Sequence, residues 1–295
     1  FYGGEPTVCF DLIKHTIKKV KEFSVPIKFS MVTNGTLLDD EKIIFCKENN
    51  LSIGISIDGP KEKNDFNRFF KDSSKSVYDI VTAKIKLLQE RKVDFGLSVT
   101  LTENLLDDEN FLEWIKTSGT KSVNFNLLHY TSVNDEWKRY YRKASRFLFK
   151  AYDELSRLDI KDDRILRKIN AFSSQTLKYS DCNAVGASQL TLKPNGDLTI
   201  CHAYWNLQQE VLGNVNHKGF CINNIFDNMI YQHWKNNLTI NRKACLKCPA
   251  IYICGTGCPK QAEDLFGSQD KIDKPFCIHT KHALKELFKR TVEDQ

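Results

Sequence analysis

Seven cysteines carry the strongest chemical signal in this sequence. Four lie in one stretch, CLKCPAIYICGTGCP, spaced as Cys245-x2-Cys248-x5-Cys254-x3-Cys258. Upstream, Cys182, Gly196 and Cys201 form a C-x13-G-x4-C spacing, and Cys277 follows downstream. Two residues between cysteines let both thiolates reach one metal centre from a single turn, a geometry shared by zinc and iron-sulfur sites. The count favours one of these. One structural zinc takes four ligands and two take eight, whereas two iron-sulfur clusters use seven cysteines if one iron is left to another ligand. Two clusters are the favoured reading; zinc is the alternative, and unrelated buried thiols are the bland one. Cys9 and Cys46 fall in helical patterns among apolar neighbours and read as core residues, with Cys221 at most a spare ligand.

Composition narrows the classes. The chain has 295 residues, 41% of them hydrophobic, enough to bury a core in one large or two medium domains. Ten cysteines would suit a disulfide scaffold only in a short secreted chain, so metal is the better account of the skew toward the C-terminal half. The net charge of +6 is modest, and its densest patch, from Lys14 to Phe23, has the spacing of an amphipathic helix with a solvated face. No nucleic-acid partner is expected. No apolar run approaches the roughly 18 residues of a membrane span, so no membrane partner is expected either. The chain opens on Phe1-Tyr2-Gly3-Gly4 without an initiator Met or a basic-then-apolar leader, and is expected to be a cytoplasmic fragment of a longer protein.

The elements that must position these cysteines begin with an alternating half. IKFSMVTNG (27–35), LSIGISIDG (51–59), VDFGLSVTL (93–101) and KSVNFNLLHY (121–130) read as strands, separated by amphipathic helices near 7–23, 39–49, 76–91 and 107–117. This alternation predicts parallel strands with right-handed crossovers: an α/β sheet or partial (β/α) barrel. Ligands of such folds sit at the carboxyl ends of strands. Those positions are polar and glycine-rich here: Gly3-Gly4-Glu5-Pro6, Thr33-Asn34-Gly35-Thr36, Ser56-Ile57-Asp58-Gly59-Pro60 and Thr100-Leu101-Thr102. Long charged helices are expected near 134–157 and 164–178, then a hairpin around LTLKPNGDLTIC, a helix near 224–236 and a closing helix near 278–291. The expected domains are 1–131, a helical connection at 132–178, and a Cys-rich domain at 179–295.

FYGGEP, TNGT, SIDGP followed by Asp65 and Arg68, and the cysteine series together resemble radical S-adenosylmethionine (SAM) enzymes carrying a SPASM domain, the auxiliary-cluster extension of peptide-modifying maturases. The resemblance covers nearly the whole chain. It implies a partial barrel of the radical SAM type followed by a small iron-sulfur domain. It also implies cofactor contacts. Gly3 and Gly4 would let the backbone approach SAM, Glu5 would accept from the methionine ammonium, and Ser56 and Arg68 would face the ribose and the methionine carboxylate. Taken singly, Gly-Gly-Glu-Pro suits a plain turn with Pro6 opening a helix, and Arg68 a surface charge. Their joint occurrence at successive strand ends favours a cofactor site.

By the same resemblance the cysteines interleave between two 4Fe-4S auxiliary clusters. Cys182, Cys201 and Cys258 would hold the first, with one position left open or filled by His202, Cys221 or water. Cys245, Cys248, Cys254 and Cys277 would hold the second. Two departures stand out. The family's C-x3-C-x2-C segment, which binds a third cluster that cleaves SAM, is not in these residues, so the chain as it stands is expected to be inactive. Sulfatase-maturating members carry a catalytic Asp after the cysteine matching Cys201 and a further upstream cysteine, whereas this chain has His202 and no such cysteine. The expectation is a maturase that modifies a ribosomally made peptide by hydrogen-atom abstraction, for example by forming a thioether or other crosslink. A sulfatase-maturating enzyme and a non-enzymatic Cys-rich metal module are the alternatives. The partners implied are a precursor peptide or protein and an electron donor such as a flavodoxin or ferredoxin. No catalytic acid or base is assigned; His202 and Asn126 are candidates by position.

Overall fold

The structure, a computed structural model, describes residues 1–71 and 75–293. Its first five strands form one parallel sheet in sequential order: β1 (Phe29–Thr33), β2 (Leu51–Ser56), β3 (Phe95–Leu101), β4 (Ser122–Leu127) and the two-residue β5 (Lys161–Asp162). α1 (Phe10–Val20) precedes β1, and the crossovers carry α2 (Asp40–Glu48), α3 (Lys61–Asn67), α4 (Val77–Glu90), α5 (Glu103–Leu106), α6 (Phe111–Thr117) and, between β4 and β5, α7 (Glu136–Ser156). The expected parallel α/β sheet is present. α3 and β5 were not legible in the sequence, and β2 ends at Ser56 rather than running to Gly59.

Alternation within the strands decides which face is open. Ile53 and Ile55 pair with Phe95 and Leu97, and with Val99, Leu101, Val123 and Phe125 they are buried. α1 and α4 bury Ile13 and Ile17, and Val81, Ile85 and Leu88. The intervening positions are small and polar. Ser56 pairs with Ser98 and Thr100 with Asn126, and all four are half-buried. A parallel sheet in sequential order has no point at which crossovers reverse, so right-handed connections put the helices on one face and leave the other open. That polar face is the interior of a half-barrel.

The chain divides into two units. One is Phe1–Leu128 with Arg146–Leu166; the other is His129–Ser145 with everything from Arg167 onward. α7 and α8 (Asp163–Ser173) therefore each run from one unit into the other. In the second unit β6 (Thr191–Leu192), β7 (Asp197–Thr199) and β8 (Gly213–Asn214) form a small antiparallel sheet. The β6–β7 hairpin turns at Gly196, whose φ of +89° favours glycine. Its core gathers Leu198, Ile200, Tyr204, Leu212 and Ile225 around the fully buried Trp234 of α9 (Met229–Asn236). The remaining helices are α10 (Ile251–Cys254), α11 (Pro259–Phe266) and α12 (Lys274–Glu293). Among the described residues no helix is long and apolar enough to cross a membrane.

Candidate cofactor and cluster sites

The first site lies at the carboxyl ends of β1 to β4. The Phe1 carbonyl accepts from Val32 N–H at 3.1 Å, which lays the opening residues along β1 and brings Gly3-Gly4-Glu5 to its end. A Cβ added at Gly3 or Gly4 would meet nothing within 4 Å, and Gly3 has a φ of +134°. This is backbone facing open space, which a ligand can approach closely.

Glu5 is the brace of this corner. Its Oε1 accepts from Thr7 N–H (2.9 Å), the Thr7 hydroxyl and the Thr33 hydroxyl (2.6 Å). Oε2 accepts from Asn34 N–H at 2.7 Å. A carboxylate offers about four lone-pair sites, two on each oxygen, so Oε2 is the atom with capacity left for an ammonium donor. Past β2, Arg68 sends Nε to Asp58 Oδ2 (2.7 Å) and Nη2 to Oδ1 (3.3 Å). Asp58 is buried and also accepts from Thr100 N–H at 2.8 Å. The fork of Arg68 is thus set by Asp58. Asp65 caps α4 by accepting from the Ser76 hydroxyl and Tyr78 N–H, and these bonds hold its carboxyl below the usual range against the opposing effect of burial. Asn126 donates to Ser98 Oγ at 3.1 Å across the open face.

The structure places Gly3, Gly4 and Glu5 beside the end of β1 and Ser56 at the end of β2, whereas Arg68 stands at the C-terminal end of α3 and reaches back to Asp58 just past β2. Sequence reasoning gave no role to Asp58, which orders Arg68, or to Thr33 and Asn34, which order Glu5. The signal for Asp58 was available, since a carboxylate two residues beyond a strand end needs a partner when buried.

The second site holds the thiols. Burial pushes Cys258 up to about 12, and the charges of Asp273, Cys182 and Cys201 push in the same direction. Burial pushes Cys201 up to about 11, with Cys182 adding to it. Cys277 is pushed up to about 12 by burial, helped by Cys254, Asp273 and Cys245. Burial also raises Cys245, again helped by Cys254 and Cys248. These influences link Cys258 with Cys182 and Cys201, and Cys245 and Cys277 with Cys254, pairings compatible with the expected sets Cys182/Cys201/Cys258 and Cys245/Cys248/Cys254/Cys277. Among the described residues no three metal-ligating side chains are close enough to grip a single ion. A four-iron cluster asks for the wider spacing, because each thiolate binds a different iron.

The loop between Cys254 and Cys258 explains how neighbours in sequence part company. Gly255, Thr256 and Gly257 all have positive φ, at +71°, +81° and +85°. Three left-handed residues in succession turn the chain sharply. The Thr256 hydroxyl shares a 2.6 Å hydrogen bond with Thr239 that holds this conformation. Gly255 lies so close to Ser180 and Asp181 that a Cβ would stand 2.4 Å from Asp181 N. The Asp181 N–H donates to the Gly255 carbonyl at 2.7 Å, drawing the segment that leads into Cys182 against this loop. Cys258 then caps α11, with Pro259 as its first residue, and its N–H donates to Asp273 Oδ2 at 2.9 Å. Burial lifts the Asp273 carboxyl to about 6.

The other cysteines separate. Cys46 is buried, as expected of a core residue, and burial pushes its thiol up to about 12. Cys9 was expected in the core but is exposed, because it ends a short 3-10 turn ahead of α1 whose buried positions are Phe10, Ile13 and Ile17. Cys221 is exposed as well. Burial holds the His202 imidazole below its ordinary value.

A parallel half-barrel with an open polar face, glycines and a braced carboxylate at its rim, defines the class of α/β cofactor-binding folds with chemistry at the strand ends. The family is then specific: residues 1–115 match the family model described as the Radical SAM superfamily, and the chain carries a radical SAM domain. Its homologues include a cysteine-type anaerobic sulfatase-maturating enzyme of Clostridium novyi (strain NT), 24% identical over 99% of this chain and 79% of that enzyme. Another is the radical SAM cyclopropyl synthase TigE of Paramaledivibacter caminithermalis, 22% identical over 98% of this chain and 60% of TigE. Among solved structures, native anSMEcpe with bound AdoMet and Kp18Cys peptide superposes with a TM-score of 0.82. It is 20% identical and covers 99% of this chain and 83% of its own, a likeness that speaks to the fold.

Proposed function

We propose that this chain is a radical SAM maturase of the SPASM type, modifying a residue of a peptide or protein, with SAM at the half-barrel rim and two 4Fe-4S clusters in the domain from about residue 179. What supports the reading is the spacing of the seven cysteines, together with the loop at Gly255–Gly257 that turns the chain sharply between Cys254 and Cys258. The donor type and the count of seven suit iron-sulfur ligation, with Cys254 buried, Cys182 exposed and the other five half-buried. When bound, SAM and its associated cluster supply the radical that abstracts hydrogen, so the protein's share is placement and electrostatics. Glu5, through Oε2, would take the methionine ammonium. Gly3 and Gly4 would admit it to the backbone. Ser56 on the open face would meet the ribose. Asp58 would hold Arg68 with its outer edge toward the methionine carboxylate. Cys182, Cys201 and Cys258 would hold three positions of the first cluster, and the fourth would be left to another ligand such as a substrate thiolate.

His202, in the place where sulfatase-maturating members carry Asp, favours a ribosomal peptide as substrate, and an electron donor such as a flavodoxin or ferredoxin would serve the clusters. A second reading, maturation of a sulfatase cysteine or serine, is favoured by the extent of the Clostridium novyi match, which spans 99% of this chain. The test of the shared core is metal content after anaerobic reconstitution. About eight irons with matching sulfide per chain are expected from two four-iron clusters. Stoichiometric zinc with little iron would overturn the reading. Mass spectrometry of a sulfatase Cys peptide and of a Cys-containing precursor peptide, each incubated with SAM, reductant and the chain extended by a C-x3-C-x2-C segment, separates the two substrate classes.

A further inference from the structure

A lysine side chain is almost never fully buried unless it is paired. Lys168, in α8, has 0% exposure. Its Nζ donates to the Ile253 carbonyl at 3.2 Å and to the Thr280 hydroxyl at 3.4 Å, and lies 4.6 Å from the centre of the Phe276 ring. Ile253 precedes Cys254 and Phe276 precedes Cys277. Thr280 in turn hydrogen-bonds the Cys254 side chain. The ammonium is therefore held between the backbone segments that deliver two of the four thiols of the second set. Asp181 Oδ1 stands 3.9 Å from Nζ and is shared at the same distance with Arg167, so its charge is divided between two cations.

We propose that Lys168 is the built-in counter-charge of the second cluster, stabilising the electron that the cluster takes up on one-electron reduction. The inference rests on the two-cluster reading above. A four-iron cluster on four thiolates is a net anion, more so when reduced, and cluster potentials respond to nearby charge, hydrogen bonds and burial. A cation fixed in a low-dielectric interior against the residues that immediately precede Cys254 and Cys277 acts on that added charge with little screening. Lys168 is a positioning residue for electron transfer, and a merely structural lysine would not set a potential.

The test is an EPR-monitored redox titration of the anaerobically reconstituted chain, with dithionite as reductant, on wild type, Lys168→Met and Lys168→Arg. Cys254→Ala identifies which signal belongs to the second cluster. In Lys168→Met that cluster's couple moves to lower potential by at least a tenfold change in the reduced-to-oxidised ratio, about 59 mV for a one-electron couple. The first cluster's couple stays where it is, and Lys168→Arg restores the wild-type value. An unchanged second couple in Lys168→Met overturns the proposal, as does an equal shift of both couples. Should Lys168→Met not yield folded chain, Thr280→Val, which removes one anchor of the ammonium, is read in the same way. A wild type lacking two couples would instead refute the two-cluster reading itself.

Discussion

Replacing Gly255 with alanine probes the loop that sends Cys254 and Cys258 to different sets. Two costs add. A non-glycine residue in the left-handed region costs about 1–2 kcal/mol, and Gly255 has a φ of +71°. The new Cβ would also stand 2.4 Å from Asp181 N and 2.5 Å from Ser180 C, both backbone atoms that cannot rotate away. Relief requires the 180–181 segment to withdraw, stretching the 2.7 Å bond from Asp181 N–H to the Gly255 carbonyl; such a bond contributes about 1 kcal/mol. The expected loss is about 2–3 kcal/mol, read from the urea midpoint of the apo chain, together with loss of iron from the set that contains Cys182. Gly267→Ala is the control. It has a similar φ of +80° but nothing within 4 Å of its would-be Cβ, so only the backbone cost of about 1–2 kcal/mol applies, without the added loss of about 1 kcal/mol. If the two variants lose equal stability and Gly255→Ala keeps full iron, close approach of the two segments is not what places Cys182.

Arg68→Ala leaves Asp58 buried with its charge uncompensated. Breaking a fully buried pair costs about 3–5 kcal/mol; with the Arg68 side chain 28% exposed, a loss of about 2 kcal/mol is expected by urea denaturation. Arg68→Lys should recover less than half of it, because an ammonium cannot supply the two-point contact; full recovery would contradict this. Asp162 gives a pH signature. Burial lifts its carboxyl to about 7, while its Oδ2 is buried with no hydrogen-bond partner. The folded state therefore binds a proton that the unfolded state releases between about pH 4 and 7, so stability falls as pH rises through that window. Asp162→Asn keeps an acceptor for Arg164 N–H, bonded at 2.9 Å, and should flatten the decline; an unaltered slope in thermal melts across that range would remove Asp162 as its source.

The alternation of LSIGISID and FGLSVTL already separated a buried face from a small polar one, and the expectation of two metal centres rests on the cysteine spacing. What sequence did not reveal depends on pairs far apart in the chain. Nothing in a charged helix marks Lys168 as its buried member, whose partners Ile253 and Thr280 lie 85 and 112 residues away. Cys9 misled because apolar neighbours at helical spacing do not say which residue of a turn faces inward. β5 has two residues, too few for any periodicity to register. The left-handed run through Thr256 was partly readable, since glycines flank it, but a threonine at φ +81° is held there by Thr239, seventeen residues away.

The most direct test of the account is EPR and iron analysis of reconstituted Cys254→Ala and Cys258→Ala side by side. The account predicts that each variant loses a different cluster, the first variant the one held by four thiolates and the second the one held by three, with the partner signal intact in both. Loss of the same signal from both variants, or of both signals from each, would contradict the division of the seven cysteines into two sets.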